Sequence, residues 1–301
     1  MAFIDDIKRS YMNGSMLLRL IVINIGVFVL LHVLALGGLL FNTGGSVTSW
    51  VGMPSDLPML LKKPWTLLTY MFSHYSVMHI LFNMLWLYWL GRIFMEFFSP
   101  KQLTGVYLLG GWGGAALYLL AYNLLPRLAM MNGILIGASA SVIAIVVAAA
   151  VYTPDYKIGL LFLGEVSLKW IAIITVAIDL LSLDAGNVGG SIAHIGGAIV
   201  GALFSLRIKQ GKDITRPLNA LIDGIVGIFN GRSFSLPRFD RKKTDKPQED
   251  KNQSTRPNTP GDLVDENELD IILGKIKAAG YDALTDEEKD KLFKASRRRT
   301  V

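Results

Sequence analysis

Apolar residues in this chain fall into long runs, unlike the i, i+3, i+4 stripe of a soluble helix or the every-second-residue pattern of a half-buried strand. Six runs stand out, at about 17–41, 77–97, 103–125, 139–152, 168–183 and 192–208. A spanning helix needs roughly 20 mainly apolar residues, fewer where neighbouring helices shield it. The pattern therefore predicts an all-α fold: a polytopic membrane protein with a six-helix transmembrane bundle over residues 1–212, its fourth and fifth helices short. The first run is longer than a signal-peptide core and lacks a convincing cleavage site, so it is read as a retained helix.

The stretches between and after the runs have their own character. Residues 42–70 mix apolar positions with Gly44, Gly45, Pro54, Pro58 and Pro64, which reads as a folded interfacial loop. Ile214, Leu218, Leu221, Ile222, Ile225 and Phe229 share one helical face, predicting an interfacial amphipathic helix over 213–231. The polar, Pro-containing stretch 232–262 reads as a linker. Residues 263–301 then give two short amphipathic helices around Gly280, the second opened by the capping pair Thr285 and Glu288. So small a domain has little core of its own and is expected to dock on a protein partner.

Composition agrees with a membrane solvent, since 51% of the 301 residues are hydrophobic and 18% charged. The net charge of +6 does not point to nucleic acid, because the basic residues cluster at the ends of apolar runs and in the tail after Arg207. Lys8, Arg9, Arg19, Arg92, Lys101, Lys157, Lys169, Arg207, Lys209 and Lys212 fall on one side of the predicted topology, and Lys62, Lys63 and Arg127 on the other. The positive-inside bias places both termini in the cytoplasm and the protein in the cell membrane. Cysteine is absent, which removes disulfides, thiolate metal sites and a Cys nucleophile.

Chemistry therefore rests on Ser, His, Asn and the acids. Of four histidines, at 32, 74, 79 and 194, His194 lies near the start of a helix otherwise made of apolar and small residues. Polar groups inside a bilayer are costly and are functional candidates, although a lone intramembrane His serves as often to link helices. Its candidate partner is Ser139 in Gly137-Ala138-Ser139, just before the apolar run 142–151. A Ser at a helix start is usually only an N-cap. Length argues for more: from 139 to 153 a helix rises about 20 Å against a hydrocarbon core of about 30 Å, so Ser139 is submerged, where non-helical backbone survives only beside a cavity. His79 and Asn83, four apart on one face of the second helix, can both donate hydrogen bonds toward a developing oxyanion, or simply link helices. His74 is expected in an interfacial loop outside the reacting groups. Gly110, Gly111, Gly113 and Gly114 in the third helix and Gly196, Gly197 and Gly201 in the sixth predict close helix packing with the sixth helix central.

Taken in order, these segments resemble rhomboid proteases. Pro64-Trp65, Thr69 to His74, then His79 and Asn83 resemble the family's first loop and its His-x-x-x-Asn motif. Gly137-Ala138-Ser139 resembles its Gly-x-Ser motif, and Ala193-His194 with the following glycines its sixth-helix base motif. The likeness covers about residues 15–208. It implies a catalytic dyad of Ser139 and His194, with His79, Asn83 and the Ser139 backbone amide as the oxyanion hole. It also implies single-pass transmembrane proteins as substrates, and no cofactor or metal. Three positions depart from the pattern: Ala140 stands where the family often has Gly, Thr66 where many members have Arg, and Ile143 where some have Tyr. The short fifth helix and the Gly-containing loop 184–190, just ahead of His194, are expected to move as a lateral gate for substrate.

Other readings fit less well. There is no His-Glu-x-x-His zinc pair and no Gly-x-Gly-Asp motif, and Asp179 in the fifth run reads as an acid that caps or links helices near the outer end. A catalytically dead binder is disfavoured by the presence of both Ser139 and His194. A transporter is disfavoured by the lack of an internal repeat.

Overall fold

The computed structural model describes residues 15–40, 47–160, 164–181, 187–229, 271–272, 274–276 and 284–297. The chain divides into two compact units, Met1–Arg238 and Phe239–Val301. The larger unit contains seven main helices: α1 (Met16–Leu40), α2 (Val77–Phe97), α3 (Pro100–Leu124), α4 (Ser139–Tyr152), α5 (Leu168–Leu181), α6 (Val188–Lys209) and α7 (Arg216–Phe229). Among the described residues, α1, α2, α3 and α6 are long and apolar enough to cross a membrane, and α4 and α5 are shorter apolar helices. The chain is a multi-pass membrane protein.

Helix starts follow from local chemistry. Ser76 caps α2 by accepting from the His79 N–H at 3.3 Å. Pro100 opens α3 behind a reciprocal capping box between Ser99 and Gln102, which is why α3 begins before residue 103. The α6 helix starts at Val188, not 192, because Asn187 accepts from the Gly190 N–H at 3.2 Å.

The α4 helix is the one enclosed on all sides: every residue from Ala140 to Ala150 is buried. The expectation of a central sixth helix is thus corrected in one respect. The α6 helix lies against α3 and α4 along its glycine face, whereas Ile199, Leu203 and Leu206 are exposed on it. A Cβ on Gly196 would run into the Gly113 carbonyl oxygen, and one on Gly201 into that of Ala144. Lipid gives helices no hydrophobic drive to associate, so this backbone-to-backbone approach is what their packing rests on.

The fold is mostly helical, as expected, with two short strand pairings added to it. Met53–Pro54 pairs antiparallel with Ile134–Leu135, and Lys157–Leu160 forms a hairpin with Gly164–Ser167. The first pairing has a clear cause. The chain approaching α4 is extended, and pairing supplies partners for its backbone polar groups where Met53 and Leu135 are buried. The same loop is anchored by side chains that donate to its own backbone carbonyls. The Lys63 ammonium donates to the Ser49 carbonyl, the Trp65 indole to that of Trp50 and the Thr69 hydroxyl to that of Val51, each at 2.8 Å. Thr66 is fully buried and donates back to the Lys63 carbonyl at 2.7 Å.

Arg19, Arg92, Lys101, Lys157, Lys169, Arg207 and Lys209 lie at the end of the bundle where α1, α3 and α5 begin and α2, α4 and α6 finish. Lys62, Lys63 and Arg127 lie in segments joined to the opposite ends. In the smaller unit, α8 (Asp286–Arg297) opens with the expected reciprocal cap, Thr285 N–H to Glu288 at 3.0 Å and Glu288 N–H to the Thr285 hydroxyl at 3.4 Å. Lys275 pairs with Glu288 at 2.5 Å. Lys8, Arg9, the linker at 232–262, Gly280, the loop residues 182–186 and the Asp179 side chain lie outside the described residues.

Candidate active site

Ser139 is the first residue of α4, and the capping position is taken by Ala138, with no side-chain cap. The Ser139 hydroxyl is therefore not used as an N-cap. It points instead to α6, where the Nε2 of His194, two turns into that helix, lies 2.6 Å from Oγ. The glycines described above set this separation, since they let the backbones of α4 and α6 touch.

The approach to Ser139 is equally constrained. Gly137 has φ of +133°, a left-handed conformation open to glycine. A Cβ there would also come 2.7 Å from Cε1 and 2.8 Å from Nε2 of His79, so the His79 ring lies directly over the turn that delivers Ser139. The Gly137 N–H donates to the Tyr70 carbonyl at 3.0 Å, and the Tyr70 hydroxyl donates to the Gly111 carbonyl at 2.5 Å. Burial pushes the Tyr70 phenol well above its ordinary value, so it stays a donor.

His79, Asn83, Ser139 and His194 line one cavity of about 850 Å³. Asn83 donates one amide hydrogen to the His79 carbonyl at 2.8 Å and is itself buried; a primary amide carries a second. The Ser139 N–H belongs to the first turn of α4, where amides have no intrahelical acceptor and the helix dipole is positive. Much of the remaining wall is apolar, with Met78, Phe82 and Trp86 from α2, Val142 and Ile143 from α4 and Ile178 from α5, and Tyr75, Ser76, Thr175 and Asn187 add polar groups to it. The arrangement combines a hydroxyl, a base in contact with it and several N–H donors in a low-dielectric space.

Other sequence candidates separate clearly. Ser141 is buried on a different face of α4, toward Gly111, with no hydrogen-bond partner among the described residues. His32 lies on α1, exposed, with Nδ1 2.9 Å from the Phe28 carbonyl oxygen. His74 sits in the loop before α2, as expected, but is buried there at 3% exposure and meets His79 edge-on with ring centroids 5.0 Å apart. Its ring nitrogens have no hydrogen-bond partner among the described residues; the nearby Phe72 carbonyl lies outside hydrogen-bond geometry. Burial, with the neighbouring His79, holds the His74 imidazole down to about 3. Sequence reading missed Tyr75, which stacks on His79 at 6.2 Å and donates to the Ile134 carbonyl at 3.2 Å. No periodicity marks a loop tyrosine for that task.

Residues 61–210, from the loop ahead of α2 through α6, match the family model described as the rhomboid domain. This chain belongs to the rhomboid family. It is 32% identical over 159 residues to RHOMBOID-like protein 12, mitochondrial, of Arabidopsis thaliana, covering 49% of this chain and 47% of that protein. It is 29% identical over 155 residues to Presenilin-associated rhomboid-like protein A, mitochondrial, of Danio rerio, covering 49% and 36%. A segment of 46 residues is 46% identical to Rhomboid protease GlpG of Salmonella newport (strain SL254), covering 15% and 16%. The chain thus spans less than half the length of these curated relatives. The rhomboid match takes in Ser139, His194, His79 and Asn83 and leaves out α1, α7 and the smaller unit.

Proposed function

We propose that this rhomboid is an intramembrane serine endopeptidase that cuts transmembrane segments of membrane proteins with a Ser139–His194 dyad. The observation that carries the reading is the 2.6 Å contact between His194 Nε2 and Ser139 Oγ, made between the buried α4 and the membrane-length α6 at the wall of a cavity. Membership of the rhomboid family and the likeness to a protein named as a rhomboid protease support it.

The geometry suits acyl transfer. His194 Nε2 takes the Ser139 proton as Oγ attacks the scissile carbonyl carbon. The carbonyl oxygen becomes an oxyanion, which accepts from the Ser139 N–H, His79 and Asn83. Collapse breaks the C–N bond, with the proton on His194 passing to the leaving amine, and leaves an ester on Ser139. Water then attacks the ester, again losing its proton to His194, and frees the carboxylate and the serine. No acidic third member is needed, and no metal or cofactor takes part in these steps.

In this reading α4 and α5 complete a six-span bundle, and their shortness leaves Ser139 below the membrane surface with room for water above it. The substrates are single-pass transmembrane proteins cut near the outer end of the span. The excess of basic residues at one end of the bundle favours the cell membrane with both termini cytoplasmic, although two of the relatives carry mitochondrial names. The smaller unit is proposed to bind a protein partner. The decisive test is labelling of the purified protein by a fluorophosphonate serine probe, with Ser139→Ala alongside. Equal labelling of the two would overturn the assignment.

A further inference from the structure

The α7 helix lies outside the rhomboid match and outside the dyad's surroundings, yet it is built into the bundle in a specific way. Six residues separate it from α6, and that turn brings the chain back onto the start of α3. Thr215 is fully buried against Gly105, where a Cβ would collide with it. Gln102 donates to Asp213 at 3.0 Å, and Lys101 pairs with Asp223 at 2.6 Å. Asp213 in turn accepts from the Thr215 N–H at 2.8 Å and from its hydroxyl at 2.6 Å, which fixes the entry to the helix.

These contacts set the depth of α7. Gly105 is about one turn inside a helix long and apolar enough to span a membrane. Thr215, which touches it, therefore lies at the boundary between acyl chains and headgroups, and Asp223, about 12 Å further along α7, is still tied to the first turn of α3. At that depth Leu221, Ile225 and Val226 are 53%, 47% and 51% exposed. Leu203 and Leu206, at the same end of the spanning α6, are exposed too. Arg207, Lys212 and Arg216 are exposed around the α6–α7 turn.

We propose that α7 is a membrane-surface helix: Leu221, Ile225 and Val226 insert into the leaflet at the Lys101 end of the bundle, and Arg207, Lys212 and Arg216 engage its anionic headgroups. Apolar insertion supplies contact, and the cations favour anionic lipid through surface potential. The consequence is that the chain leaves the membrane domain at the leaflet surface and not into open solvent. This does not depend on whether the protein is a protease.

The protein's lack of cysteine makes the test direct. Leu221→Cys, Ile225→Cys and, as a control in the turn, Gln210→Cys are each labelled with a small fluorophore in the full-length protein. They are then reconstituted into lipid nanodiscs that are either zwitterionic or about one-third anionic. The expected result in anionic discs is stronger quenching by lipid-borne nitroxide than by aqueous iodide at 221 and 225, and the reverse at 210. Combined Arg207→Gln, Lys212→Gln and Arg216→Gln should reduce the lipid quenching at 221 and 225 to the level seen in zwitterionic discs. Iodide access at 221 and 225 equal to that at 210 would overturn the proposal. So would protection from both quenchers, which would mean that protein covers the face. Lipid quenching that ignores both headgroup charge and the triple substitution would overturn the role given to the cations.

Discussion

Gly197 of α6 meets Ala140 of α4 so closely that a Cβ on the glycine would overlap the Ala140 carbonyl oxygen. Ala140 follows Ser139, and Gly197 is one turn beyond His194, so this contact sets the separation of the two functional groups. Gly197→Ala must push the helices apart, costing about 1–3 kcal/mol and drawing His194 from Ser139. Thermal unfolding and the rate of phosphonylation by a serine probe should both fall. Gly26→Ala, on α1 with nothing within 4 Å of the added methyl, should leave stability unchanged or slightly raised. If Gly197→Ala unfolds and reacts like wild type, the two helices do not meet this way.

Ser139→Ala and His194→Ala are each expected to lower cleavage by several orders of magnitude, and together by little more, because a nucleophile and its base act as one unit. Ser141→Ala is the informative control. Its hydroxyl is buried without a partner, so its removal should leave cleavage near wild type and raise stability, by about 1 kcal/mol or more. Measured turnover of a transmembrane substrate by the four variants separates these outcomes.

Asn83→Ala should be impaired and not dead. Loss of one oxyanion donor costs about 10²–10³ in rate, and Asn83 also holds the His79 carbonyl. A fall in kcat with KM little changed would mark it as acting on the transition state. Unaltered kcat on several substrates would make it a structural residue.

The sequence was informative wherever a physical requirement has a local signature. The α2 and α4 helices appear at the predicted residues because the length of an apolar run is a local property. The faces that join α3, α4 and α6 were visible as glycines. The burial of His74 was not, because it depends on how a loop folds back over α2, and no spacing in the loop encodes that. The short strand before Ser139 was hidden for a related reason: two residues pairing across some 80 positions leave no periodicity. Whether the Ser139 hydroxyl caps α4 was open in the sequence, and the structure shows it turned to His194 of α6 instead.

His74 gives a pH signature. Its imidazole is held near 3 in the folded protein against 6.5 ordinarily, so between those values the unfolded chain binds the extra proton. Stability from this group is complete above about pH 6.5 and is lost progressively as pH falls toward 3. By pH 5 the loss is up to about 2 kcal/mol. His74→Phe keeps an aromatic ring in the site without a titrating group. Its unfolding midpoint in detergent should therefore drop less than that of wild type between about pH 7 and pH 5. Parallel midpoints across that range would mean that His74 is hydrated or protonated in the fold.

Entry of a transmembrane substrate is the remaining problem, because a helical substrate hides its carbonyls in its own hydrogen bonds and must unwind before Ser139 can attack. Phe82 of α2 and Ile178 of α5 are 58% and 57% exposed and both line the cavity. The α3, α4 and α6 helices are locked backbone to backbone by glycines, whereas α5 exposes Trp170, Ile173, Ile174 and Ile178, so it has less to lose by moving than they have. Lateral entry between α2 and α5 is the expected route. In the Cys-free background, Phe82→Cys with Ile178→Cys, joined by a short bifunctional reagent, should block cleavage of transmembrane substrates. Reaction of Ser139 with a small phosphonate should persist, since the locked protein keeps its dyad. Restoration of cleavage by a reducible linker after reduction would show that the block is mechanical. Normal cutting of transmembrane substrates by the fully linked protein would place entry elsewhere, with α5 as a fixed wall.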